Sequence, residues 1–190
     1  MQHLSEPVDM ASAELIGDRA IVWDSNHGMV LYAQGYFGQP VGIRKPKSPV
    51  FDKPLELSLI ECAYLTDTGR LQVNNPPNSH VLALEEILAL GEKQSPDFRD
   101  RYLVYSQVRQ LGYIIRPGLK FGTDFAVYEH GPGKDHAPFL IHVIPQRKGV
   151  VPLDIVRAGR LATSVRKKFI IATVKENGEI AYYSFVWHRP

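Results

Sequence analysis

Residues 169–187, FIIATVKENGEIAYYSFVW, constrain the fold more than any other stretch. Two runs of β-branched and aromatic residues flank the turn ENGE, which is the signature of a long antiparallel hairpin. A hairpin of this kind needs further strands and a covering layer, and the residues upstream offer both. DFRDRYLVYSQVRQLG predicts a helix, with Phe98, Tyr102 or Leu103, Val104, Val108 and Leu111 near an i, i+3, i+4 recurrence and Gly112 as its stop. YIIRPGLKFGTDFAVYE supplies two strands and FLIHVIP a third, and PLDIVRAGRLATSVRKK predicts a second helix with a basic C-terminal end. Helix, strands, helix and hairpin in that order imply a mixed sheet packed against helices.

A chain of 190 residues is long enough for a second, smaller core. ELIGDRAIVW predicts strand, Gly-Asp turn and strand; Asp24, Ser25 and Asn26 offer an N-cap for a helix ending near Gly35. Ser58 opens a helix through LIECAYLTD, LQV is a short strand, and Ser79 is expected to open a helix through LALEEILAL. The expected fold class is therefore α/β (α+β), with an N-terminal α/β domain over 1–94 and a C-terminal mixed-sheet domain over 95–190. Between the first two helices lies a Gly- and Pro-rich basic loop near 39–54, whose Pro46 and Pro49 oppose both helix and central strand.

Charge divides the chain in the same way. Residues 1–100 carry a formal −6 and residues 101–190 a formal +8. A basic half attracts polyanions, of which nucleic acid is the commonest. The single cysteine, Cys62, excludes an internal disulfide and a cysteine-based zinc site, and its apolar setting reads as core. No apolar run approaches the ~18–20 residues of a membrane span. MQHLSEPVDM lacks a signal-peptide pattern, so an intracellular, cytoplasmic location is expected.

Three residue types could do chemistry in the basic half. Strand parity in TDFAVYE sets Tyr128 with Asp124 and Ala126, opposite Phe125 and Val127, at a strand end. His136 sits in the polar loop GPGKDHAP. Lys167 or Lys168 lies at a helix–strand junction, close to a sheet edge. A strand tyrosine is more often packing and a loop histidine more often surface, but the three together could meet one phosphate. The chain has no phosphate loop of the G-x-x-x-x-G-K-[ST] type and no G-x-S-x-G elbow. It also lacks the clustered carboxylates that a two-metal nuclease needs. A nuclease built here is expected to be an acid–base catalyst without metal or other cofactor.

The string YLVYSQVRQLGYIIRPGLKFGTDFAVYEHGPGKDHAPFLIHVI, with SVRKKFIIATV downstream, resembles the archaeal tRNA-splicing (tRNA-intron) endonuclease. The similarity is dense over 98–190 and weaker but continuous before that. It implies a restriction-endonuclease-like C-terminal domain and cleavage of precursor tRNA at bulge–helix–bulge junctions. The products would carry a 2′,3′-cyclic phosphate and a 5′-hydroxyl. The family's catalytic tyrosine, histidine and lysine fall on Tyr128, His136 and Lys167. The resemblance makes Tyr128 the acceptor of the 2′-OH proton, His136 the acid toward the leaving 5′-oxygen, and Lys167 the cation on the transition state. A free tyrosine titrates near ~10, so a base role at pH 7 asks Lys167 to lower it; otherwise Tyr128 only positions the 2′-OH.

The same resemblance matches Arg160 to a clamp arginine for an unstacked base, with Trp187 as a candidate partner. Glu176 and Glu179 match an acidic turn that docks into a neighbouring subunit, and IAYYSFVW matches a dimer strand. The basic loop resembles that of crenarchaeal-type catalytic subunits, which implies RNA contacts from Lys45, Arg44 and Lys47. It also implies an α2β2 heterotetramer with a separate structural subunit, in preference to a homotetramer or homodimer. Two other readings compete: a non-catalytic RNA-binding or assembly subunit of the same complex, and a nuclease-like fold kept for protein interaction.

Overall fold

The computed structural model describes residues 10–46, 48–153, 155–156, 159–160 and 167–184. The chain divides into two compact units, Met1–Gln94 and Ser95–Pro190. The first holds a six-stranded sheet of order β3-β4-β2-β1-β5-β6. Its strands are β1 (Ala11–Ile16), β2 (Arg19–Val22), β3 (Gln39–Pro40), β4 (Leu55–Ser58), β5 (Leu71–Asn75) and β6 (His80–Val81). Its helices are α1 (Ser25–Gly35), α2 (Leu59–Asp67) and α3 (Leu84–Gln94). Only β1 and β5 pair in parallel; the other pairs are antiparallel, so the sheet is mixed.

Local chemistry explains most of these boundaries. The Asp24 carboxylate accepts from Asn26 N (2.7 Å) and His27 N (3.2 Å), capping α1. In β4, Leu55 and Leu57 are fully buried while Glu56 faces out, a period-2 pattern hidden in the sequence by its Pro-rich flank. Ser79 does not open α3, contrary to expectation. It takes φ +50° in the turn before β6, and α3 starts at Leu84 because Glu86 accepts the Ala83 N–H (2.9 Å). Cys62 is wholly buried, and burial pushes its thiol pKa up.

The basic loop is closed at its base. β3 pairs with β4, Val41 N donates to Pro54 O (2.9 Å), and the buried Glu61 carboxylate accepts from Gly38 N (2.8 Å). Glu61 also accepts from Ser58 N and Oγ (3.0 and 2.6 Å), so one carboxylate ties the loop's start to the start of α2. Gly38 has φ +69°, and a Cβ there would lie 2.6 Å from Glu56 O, so only glycine fits.

The second unit holds a five-stranded sheet of order β11-β10-β9-β8-β7. These are β7 (Ile114–Pro117), β8 (Phe125–Tyr128), β9 (Phe139–Val143), β10 (Lys168–Val174) and β11 (Ile180–Ser184), with α4 (Phe98–Gln110) before them. β9 and β10 are parallel and the remaining pairs antiparallel. A parallel neighbour requires a crossover. Of the helix expected there, Pro152, Leu153, Ile155, Val156, Gly159 and Arg160 are helical, and 161–166 lie outside the described residues. The fold class expected from the sequence, mixed sheets with helices, is the one observed. No helix among the described residues is long and apolar enough to cross a membrane.

Both faces of this sheet are buried. Phe125 stacks at a tilt on Tyr105 of α4 (centroids 5.8 Å), while Ala126, Leu140, Phe169 and Ile171 form a core on the opposite face. In α4 the inward residue is Tyr102 rather than Leu103, and Leu111, at the C-cap, is exposed. Arg109 is only 8% exposed; its Nε donates to Tyr105 Oη (3.1 Å) and its Nη2 to Ile115 O (3.1 Å). It therefore ties α4 to β7. Arg109→Met keeps bulk but removes the donors to Ile115 O and Tyr105 Oη, and should cost about 2 kcal/mol in denaturant unfolding.

Candidate active site

Strand register brings two of the three proposed chemical groups to one row. Val127 is opposite Phe139 on β9, and Phe139 is opposite Lys168 on β10. Tyr128 and Lys167 each lie one residue beyond those pairs, and Lys168 N donates to Pro138 O (2.9 Å). Tyr128, Pro138 and Lys167 therefore cross the sheet at one level and share a face, with about 10 Å between the outer two Cα positions. That face is the one carrying Ala126, Leu140 and Phe169, and Tyr128 packs partly buried against it.

Lys167 is half-buried. Its ammonium donates to Ala137 O and sits 5.5 Å from the centre of the Phe121 ring. Burial, and then the like charge of Lys120, lowers its pKa, while Asp135 acts in the other direction. The Lys120 ammonium is 4.7 Å from the centre of the same Phe121 ring.

The loop between Tyr128 and His136 is organised by one carboxylate. Asp135 Oδ2 accepts from Glu129 N (3.0 Å) and His130 N (3.1 Å), and Oδ1 accepts from Gly131 N (2.8 Å). Burial opposes its ionisation, but these backbone donors prevail and hold the carboxyl below the usual aspartate range. His136 is exposed and is set between Asp135 and the buried Ala137, whose carbonyl receives Lys167. Sequence reading missed Asp135 and Phe121. The signal available for Asp135 was an acidic residue closing a Gly-Pro-Gly loop, a common turn pattern with little specificity.

Tyr128 does not meet the expectation of a lowered pKa. Burial raises it above the ordinary tyrosine value; Arg116 opposes that rise and Asp135 adds to it. The cation felt by Tyr128 is thus Arg116 rather than Lys167. Asp124, of the motif K-F-G-x-D-F, faces elsewhere. It accepts from His142 Nδ1 (2.8 Å) and Val143 N (2.9 Å) and pairs with Arg101 (3.5 Å), joining β8, β9 and α4.

The remaining candidates are dispersed. Arg160 is helical and exposed in the second unit. Glu176 and Glu179 are exposed in the β10–β11 turn, where Lys175 pairs with Glu179 (3.0 Å) and holds its carboxyl below the usual range. β11 is an edge strand with Tyr183 exposed. Arg44 and Lys45 are exposed on the loop of the first unit. Lys47 and Trp187 lie outside the described residues. Among the described residues, no three His, Cys, Asp or Glu side chains form a group that could hold a metal ion.

Comparison with known proteins identifies the family of the chain. Residues 98–182 match the catalytic C-terminal domain of tRNA intron endonuclease, and residues 11–88 match its N-terminal domain. The tRNA-splicing endonuclease of Hyperthermus butylicus is 46% identical over 182 residues, covering 95% of this chain and 100% of the relative. Those of Sulfurisphaera tokodaii (39% over 176 residues; 92% and 97% covered) and Saccharolobus solfataricus (36% over 180 residues; 94% and 98% covered) are also similar. The chain belongs to the tRNA intron endonuclease family. It carries the family's catalytic domain as its second unit.

Because the Asp135 pKa is depressed, its contribution to loop order is complete above the unfolded value near ~3.9 and is lost as pH falls through the lower folded value. The amide NMR shifts of Glu129, His130 and Gly131 should titrate together, with a midpoint below that of an ordinary aspartate. Asp135→Ala should abolish the titration and slow RNA cleavage by roughly tenfold or more, as expected when a reacting group is displaced.

Proposed function

We propose that this chain is the catalytic subunit of a tRNA-intron endonuclease that cleaves bulge–helix–bulge RNA without a metal ion. The observation that carries the reading is the shared sheet row of Tyr128 and Lys167, with His136 in a loop that Asp135 and Ala137 join to both. The 2′-oxygen of the residue before the cut attacks the adjacent phosphorus. Its proton passes to Tyr128, and the P–O5′ bond breaks as imidazolium His136 donates a proton to the leaving oxygen. The ends are a 2′,3′-cyclic phosphate and a 5′-hydroxyl. Lys167 compensates the charge that builds on the phosphate oxygens, where an ammonium in a half-buried site is worth most.

The raised Tyr128 pKa sets the cost of this route. For a free tyrosine, titrating near ~10, a phenolate at pH 7 costs about 4 kcal/mol, and burial makes Tyr128 harder to ionise than that. The reactive form, with Tyr128 ionised, is therefore a small fraction of the protein at neutral pH. Replacing Tyr128 with a fluorinated tyrosine of lower pKa should therefore raise the single-turnover rate at pH 7. An unchanged rate would leave Tyr128 only positioning the 2′-OH. Cleavage should persist in EDTA, and His136→Ala should lose about 10²–10⁴ in rate. Loss of activity with chelator would end the metal-free scheme.

Assembly with a structural subunit as an α2β2 heterotetramer, through the exposed Glu176–Glu179 turn and the edge strand β11, completes the proposal. Arg160 would grip a bulge base, and Lys45 with Arg44 and Lys47 would reach RNA from the loop. Reversing both charges, Glu176→Lys with Glu179→Lys, should shift the complex to smaller species in light scattering while leaving the chain folded. A mass unchanged by the double reversal would remove the turn from the interface.

A further inference from the structure

Phe121 is shared by two cations, and only one of them has a task in the scheme above. The Lys167 ammonium lies 5.5 Å and the Lys120 ammonium 4.7 Å from the ring centre. The two charges are therefore no more than about 10 Å apart, within a Debye length at ~0.1 M salt. Lys120 is exposed and, among the described residues, makes no ion pair with a carboxylate. Two like charges on one apolar ring repel, and Lys120 adds to the lowering of the Lys167 pKa that burial begins. The arrangement becomes favourable when polyanion is added between or beside them.

The turn that carries Lys120 is built to hold it there. Gly118 N donates to Asp124 O (2.9 Å) and Phe121 N to Gly118 O (2.8 Å), closing a single 3₁₀ turn over Leu119–Phe121. Thr123 is buried, with its hydroxyl near the carbonyls of Gly118 and Phe125 (both 3.4 Å). A Cβ at Gly118 would lie 2.4 Å from Thr123 Oγ1, so this close packing requires glycine. Asp124 in turn is anchored to β9 and α4. Phe121 is thereby pressed on the core that also seats Tyr128. The ring thus holds the two ammonium groups near one another on a fixed apolar surface.

We propose that Lys120 is a substrate-binding residue that takes an RNA phosphate next to the scissile one. The inference rests on the reading that Lys167 faces the scissile phosphate. A cleavage centre on a polyanion needs one cation whose contact strengthens in the transition state and another that holds the neighbouring strand equally in both states. Lys120 fills the second part: its contact is with a phosphate that does not react.

The test uses the full-length chain and a bulge–helix–bulge RNA with a 2′-deoxynucleotide at the cut, which binds but does not react. Lys120→Met retains the aliphatic stem on Phe121 and removes the charge; Lys120→Arg restores it. Lys120→Met is expected to weaken binding about tenfold at ~0.1 M salt and to make the slope of log affinity against log salt shallower by about one. With cleavable RNA at saturation its single-turnover rate should change less than about threefold, and Lys120→Arg should recover both affinity and slope. Wild-type affinity and slope in Lys120→Met would overturn the proposal. So would a lost saturating rate with intact binding, since that makes Lys120 a transition-state group. Lys167→Met is the control: normal cleavage by it would refute the Lys167 role, while the Lys120 binding result would be read independently.

Discussion

The parallel pairing of β9 with β10 is the constraint on which the second unit depends. Because Lys168 N bonds to Pro138 O, β10 begins at the level where β9 begins. β8 runs the other way and ends at that same level. A strand end and two strand starts thus meet at one edge of the sheet, and each delivers a side chain or a loop there. An antiparallel β10 would have put Lys167 at the far end of the sheet. The crossover between β9 and β10 follows from the same requirement, since parallel neighbours cannot be joined by a tight turn.

Each unit by itself relies on carboxylates that bind backbone amides. Asp135 collects three N–H groups and gives the histidine-bearing loop its shape; Asp124 takes one from Val143 along with the His142 ring; Glu61 takes those of Gly38 and Ser58. In each case a buried or half-buried charge is stabilised by donors that would otherwise lack partners. These acids order the chain through its own backbone.

The electrostatics at Tyr128 shape the chemistry. Burial raises the pKa of this half-buried phenol, Arg116 opposes the rise and Asp135 adds to it, so the protonated form is favoured at neutral pH. Lys167 has its own ionisation weakened by burial and then by Lys120, while Asp135 acts in the other direction.

Much of this was legible in the sequence. The α4 pattern, the hairpin over ENGE, the cap at Asp24 and the helix from Ser58 are local matters of periodicity and hydrogen-bonding chemistry, and the chain states them directly. Tyr128, His136 and Lys167 were legible as candidates through the spacing of their motifs. What the sequence did not show came from contacts between distant segments. Ser79 lost its helix because Glu86 supplied the cap instead, and β4 was hidden by the prolines around it. Strand parity put Tyr128 opposite Phe125, but only the tertiary fold revealed that its own face is also a core. The sequence by itself determined which residues could react, because reactivity is a property of side-chain type and local spacing. Which of them share a row, which charge each one feels and which second lysine stands beside them were decided by strand register and burial, and those exist only once the sheet has formed.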